Sequence, residues 1–154
     1  MINAERISAV TVAFFAVGVA VALVSVTLTG WAETAFAADA GGDAAQFGPI
    51  FVAQLYLAVT AAALVGAPVF AGIMGVVVGA QTFSPIEAAA TAGVGSAIGT
   101  VGYTVIVVGF IVVFQGAAAG QAYSTGDALG SVGVTVIVST LVSAGTAVVG
   151  TWVG

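Results

Sequence analysis

Four apolar runs, at about 7–29, 50–79, 85–114 and 129–153, set what this chain can fold into. A helix of roughly 20 residues crosses ~30 Å of hydrocarbon, and every run is long enough for that. The charged residues are Glu5, Arg6, Glu33, Asp39, Asp43, Glu87 and Asp127, and none lies in the middle of a run. Strands of a membrane β-barrel would be ~10 residues long and alternate in polarity; these runs do neither. Charged residues make up 5% of the chain, against about 25% in soluble domains, so a soluble fold could not cover its surface. The expectation is an all-α protein, a transmembrane four-helix bundle forming one integral membrane domain over 1–154.

The same composition removes most catalytic chemistry. The chain has no Cys and no His. Thiol nucleophiles, disulfides, imidazole acid–base catalysis and zinc sites of the usual kind are therefore excluded. One Arg cannot offset many phosphates, so nucleic acid is not an expected partner. The segment from Gly93 through Gly95 to Gly99 has the outline of a dinucleotide-binding turn, but such a turn must follow a strand and open a helix. Here it lies inside an apolar run. Neither enzymatic activity, a cofactor nor a metal site is expected. Gln54 and Tyr103 are the residues of long polar reach inside the runs, and both are expected to hydrogen-bond between helices.

The first run has a rival reading as a signal peptide, because Ala35-Phe36-Ala37 has the small-x-small form of a cleavage site. Its apolar stretch is about twice the usual 7–15 residues, and no net positive charge precedes it; both favour an uncleaved span. Arg6, just before the run, puts the N-terminus inside by the positive-inside rule. The acidic segment 30–49, punctuated by Gly41-Gly42 and Gly48-Pro49, then becomes an outer loop. The turn 80–84 lies inside, 115–128 outside, and Gly154 inside. Trp31, Phe47, Phe51, Phe114 and Tyr123 gather at the outer face, Phe83 and Trp152 at the inner one, as aromatic belts do.

Ser84-Pro85-Ile86-Glu87 is a helix start: Ser84 caps, Pro85 fills the first helical position, and Glu87 can reach back to the Ser84 amide. Glu87 as an ion site at a membrane entrance is the alternative reading. Pro68, inside the second run, removes a backbone donor and predicts a kink, a static bend or a hinge. Asp39 and Asp43 sit in a glycine-rich stretch, which makes them solvated loop charge rather than a preorganised calcium cage.

Small residues predict the packing, because helices in lipid associate through close backbone approach. Gly72, Gly75 and Gly79 mark the second run; Gly95, Gly99, Gly102 and Gly109 mark one flank of the third. The fourth run carries Ser131, Thr135, Ser139, Ser143, Ala147 and Thr151 at four-residue spacing, which makes one small, weakly polar face. That face either packs inside the bundle, or meets another subunit and lines a narrow wet path. Hydroxyls usually satisfy themselves on the carbonyl one turn back, so polarity alone does not make a pore. The first run, with Gly18 as its one helical glycine and with Phe14 and Phe15, is expected to be the most lipid-exposed. Residues 99–107 and 130–138 match at most positions but start at different depths, which favours coincidence or a short duplication over a transporter-like inverted repeat.

Absence of Lys, an acidic soluble segment and the dominance of Ala, Val and Gly give the chain a resemblance to small four-span membrane proteins of halophilic archaea. In size and span number it is also similar to the internal membrane proteins of pleomorphic haloarchaeal viruses. No motif carries either likeness, and an actinobacterial or other high-GC source is the alternative. Acidic surfaces of that kind stay hydrated in concentrated salt, where self-repulsion is screened. The functional expectation is a structural or accessory subunit of a membrane assembly, partnered by the lipid bilayer and by further copies or other membrane subunits. The alternative is an oligomeric passive pore or holin-like channel lined by the fourth run. The absence of an intramembrane ionisable residue argues against an ion-coupled pump.

Overall fold

A computed structural model describes residues 3–38, 42–114 and 125–154. They form four long helices: α1 (Ala4–Glu33), α2 (Asp43–Ala80), α3 (Pro85–Phe114) and α4 (Thr125–Gly150). A π-helical stretch, Thr34–Ala38, continues α1. Four helical segments are long and apolar enough to span a bilayer: Ala4–Phe36, which is α1 with the first π-helical residues, Phe47–Ala80, Pro85–Phe114 and Gly130–Gly150. In hydrocarbon every backbone polar group must be satisfied internally, and a helix does this within one segment. The protein is thus an all-α, multi-pass membrane bundle, as the apolar runs predict.

The helix ends differ from the sequence expectation. The expected outer loop 30–49 is mostly helical: α1 runs through Trp31 and Glu33, and α2 already begins at Asp43. Between Gly30 and the Gly41-Gly42 pair the sequence has no proline and no further glycine. Gly42 adopts φ 65°, a conformation open to glycine, and α2 starts directly after it. Pro49 lies inside α2 rather than before it. Asp39 and Tyr123 lie outside the described residues. At the other end, α4 starts at Thr125 and stops at Gly150, short of the expected end at 153.

Two start signals fix the helices at one end of the bundle. Asn3 Oδ1 accepts from the amides of Glu5 at 3.1 Å and Arg6 at 3.2 Å. Ser84 Oγ accepts from the Glu87 amide at 3.4 Å, and the Ser84 carbonyl takes the Ala88 amide at 2.9 Å. Ser84 is therefore the cap that the sequence predicts, and α3 starts at Pro85. The Asn3 cap was not anticipated, although Asn before Ala-Glu is a recognisable signal.

Parallel helices, not sequence neighbours joined by short turns, make the most extensive contacts. These are α1 with α3 and α2 with α4; α3 with α4 follows, α2 also meets α3 across the middle, and α1 meets α2 most lightly. Among the described residues α1 and α4 do not touch. The helices thus form a ring in the order α1, α3, α4, α2. The expectation that α1 is the most lipid-exposed helix holds jointly with α4, since these two are the least buried spans; even so, Val10, Phe14, Gly18, Ala22, Ser25, Thr29 and Ala32 form a continuous buried stripe on one face of α1. Phe14 is fully buried and meets Phe70 edge-on at 4.9 Å. At the opposite end, Trp31 meets Phe36 at 5.8 Å and Phe36 meets Phe51 at 5.0 Å, which ties α1 to α2.

Candidate functional site

With so few charged groups, the chemistry of this protein is the chemistry of its helix interfaces. The α1–α3 interface is built on α3 glycines. A Cβ at Gly95 would lie 2.9 Å from Val10 Cβ, and one at Gly99 would lie 2.8 Å from Phe14 Cβ. At Gly102 a Cβ would collide with the Phe15 ring. In return Gly18 of α1 receives Tyr103, whose Cα would be 3.2 Å from an added Cβ. The bulky residues of α1 pack into the glycine grooves of α3, Phe14 fully buried and Phe15 still exposed on one side. Gly109, expected on the same flank, has open space around it.

The α2–α4 interface repeats the device. Gly75 lies against Ser143 and Thr146, and Gly79 against the Ala147 carbonyl and Gly150 Cα. Gly150 answers with Val76 and Gly79 as its own neighbours. At Gly79 and Gly150 backbone therefore meets backbone, with no side chain able to yield. Contact partners rise together along both chains, from Gly72 with Val142 to Gly79 with Gly150, which is what parallel helices require.

The hydroxyl face of α4 lies inside the bundle over most of its length. Thr135, Ser139, Ser143 and Ala147 are buried, Thr151 is half-buried, and Ser131 at the helix start is exposed. Ser96 Oγ donates to Ser143 Oγ at 2.7 Å, and Ser143 Oγ donates to the Ala92 carbonyl at 3.2 Å. This short relay joins α3 to α4 in the core. Most other hydroxyls bond to the carbonyl one turn back, as Thr104, Thr135 and Thr140 do on Thr100, Ser131 and Val136. Tyr56, Thr91, Thr100 and Ser139 have buried side-chain oxygens without a hydrogen-bond partner in the structure.

Pro68 lies within an unbroken α2. It cannot donate to the Leu64 carbonyl. One residue away, the Tyr103 hydroxyl donates to the Ala63 carbonyl at 2.9 Å, bracing α2 from α3. Tyr103 thus makes the interhelical bond expected of it. Gln54 does not: it is exposed on α2 and makes no hydrogen bond among the described residues. Arg6 donates through its guanidinium to Thr82 Oγ1, which in turn donates to the Val78 carbonyl at 2.8 Å. A cation thereby closes the C-terminal end of α2, where the helix dipole favours it. The sequence offered no signal for this partner, which is distant in the chain.

The matching segments 99–107 and 130–138 occupy unlike environments, since Gly99 is covered by Phe14 while Gly130 has open space. They do not form equivalent halves of a site. In comparisons with protein-family models, curated proteins and solved structures, the chain matches none.

Proposed function

We propose that this protein is a non-enzymatic structural or accessory subunit of a membrane assembly. The observation that carries this reading is the use of α4: its hydroxyls Ser139 and Ser143 are buried against other helices of the same chain. Its outward residues, among them Val134, Ile137, Leu141 and Val149, are apolar. A surface of that kind suits lipid and neighbouring membrane subunits better than an aqueous path. The lack of Cys and His, and of charge in the middle of any run, supports a role without catalysis. The compositional likeness to haloarchaeal membrane proteins makes a salt-loving cell, or a virion of such a cell, the proposed setting.

A passive pore built from several copies is the second reading. The unpartnered oxygens of Thr91, Thr100 and Ser139 favour it, because a file of water would satisfy them. Purification in mild detergent at high salt, followed by mass analysis, separates the two. A second protein in fixed stoichiometry is the expected result and would name the assembly. A pure homo-oligomer that passes small solutes in liposomes would replace the subunit reading with the pore.

Arg6, Thr82 and Gly154, which approaches Ala80, share one end of the bundle. The positive-inside rule assigns that end to the cytoplasm or virion interior. The chain has no cysteine, so a single introduced thiol reports sidedness. Phe83→Cys, in the exposed α2–α3 turn, is expected to resist an impermeant maleimide added outside intact cells. Ala35→Cys, at the opposite end, is expected to react. The reverse pattern would invert the protein.

A further inference from the structure

We infer that the cleft between α1 and α2 is a binding site for one hydrocarbon chain of a bilayer lipid. The cleft has a volume of about 430 Å³ and opens sideways out of the bundle. Its rim is Val24 and Leu28 on α1 and Ala62 and Gly66 on α2, and its floor is Ser25, Ala63 and Tyr103. It exists because these two helices meet lightly and because α2 presents the small residues Ala62, Ala63 and Gly66 to it.

The polarity of the cleft selects an apolar occupant. Both hydroxyls on its floor are already committed: Ser25 Oγ donates to the Val21 carbonyl at 2.7 Å, and Tyr103 to the Ala63 carbonyl at 2.9 Å. No donor is left for a head group, a quinone ring or a sugar. A site built for such groups needs a few convergent polar atoms, and the remaining wall is hydrocarbon.

The size of the cleft selects a chain rather than a helix. On α1 its lining runs from Ala20 to Leu28, which is about 12 Å at 1.5 Å per residue. Its walls, α1 and α2, touch each other, so they do not part by the ~10 Å that a helix between them needs. A helix from a second copy or from another subunit therefore covers the mouth of the cleft without entering it, while one extended acyl or isoprenoid chain fits lengthwise. The site belongs to the single bundle and does not depend on the assembly reading.

Gly66 provides the test. A Cβ added there meets only the Tyr103 hydroxyl, at 3.9 Å, so Gly66→Leu is tolerated and its side chain occupies the cleft. Delipidated protein is incubated with a defined phospholipid in detergent and read by native mass spectrometry. The wild type is expected to keep one lipid through a wash that strips the rest, and Gly66→Leu to lose at least about nine-tenths of that occupancy with an unchanged circular dichroism spectrum. Leu141→Trp, on an exposed face of α4, keeps it. The wild type is also labelled with a phospholipid carrying a diazirine at mid-chain. Adducts are expected to be enriched on residues 20–28 and 59–66 over the equally apolar surface of α4. Retention of the lipid by Gly66→Leu, even labelling over all helices, or adducts with co-purified protein in place of lipid would each overturn the assignment.

Discussion

Gly79→Leu destroys the folded bundle, whereas Gly109→Ala leaves it intact. Both are helical glycines in apolar runs, and helix propensity alone favours either replacement. What separates them is the neighbour. At Gly79 a first side-chain carbon falls on the Ala147 carbonyl and stands 2.9 Å from Gly150 Cα. Those are backbone atoms of a packed helix, so relief requires α2 and α4 to separate along their whole contact. Overpacking a core costs about 1–3 kcal/mol when side chains can adjust; with backbone on the far side, Gly79→Ala is expected at the upper end, about 3 kcal/mol, and Leu beyond it. At Gly109 an added carbon has nothing within 4 Å, and the change is expected to stay within about 0.5 kcal/mol. Thermal unfolding in detergent, read by tryptophan fluorescence and by size-exclusion profile, measures both. Equal melting of Gly79→Ala and wild type would mean that α2 and α4 do not pack in parallel as described.

The contrast also indicates what an apolar sequence can express. The number and type of elements are legible, because run length against bilayer thickness leaves one solution. The Ser84 start is legible because cap chemistry is local. So are the small-residue pairs Gly75/Gly79 and Gly95/Gly99, each of which does sit at a helix contact. The partner of each pair is not legible. A glycine groove announces a close approach but not which helix enters it. Phe14 looked like lipid-facing bulk for that reason, and it is buried against Gly99 of α3, while Phe15 reaches Gly102 and stays exposed on its other side. Periodicity helped only in α4, where the four-residue row of Thr135, Ser139, Ser143 and Ala147 marks the buried face; the other helices show no clear polar side. The extent of α1 and α2 past the expected loop was hidden for another reason. The stretch from Trp31 to Ala38 mixes one charge with apolar and small residues, and solvent-exposed helix and polar loop then share a composition. Arg6 on Thr82 is a long-range contact that no local pattern encodes.

Ser139→Leu is expected to prevent folding, and Ser139→Ala to cost nothing. Ser139 has no exposed surface, and its hydroxyl makes no hydrogen bond in the structure. Removing a buried polar atom that has no partner, at nearly constant shape, is close to neutral or stabilising. Adding the rest of a leucine to a closed site costs about 1–3 kcal/mol or more. One turn away, Ser143→Ala behaves differently. It removes the acceptor of Ser96 Oγ and the donor to the Ala92 carbonyl together, and leaves Ser96 unpaired in the core. About 1 kcal/mol is expected, in line with hydrogen bonds between membrane helices, which average ~0.6 and reach ~1.7 kcal/mol. Adding Ser96→Ala to Ser143→Ala then recovers part of that loss, because no orphan oxygen remains on α3. The order of melting temperatures, with Ser139→Ala at or above wild type, the double variant next and Ser143→Ala below it, distinguishes a packed hydroxyl face from a wet one. In a pore, Ser139→Leu would instead fold normally and abolish solute flux in liposomes, because a lining residue has open space in front of it. A folded, flux-dead Ser139→Leu would therefore turn the α4 face from mortar into a channel wall.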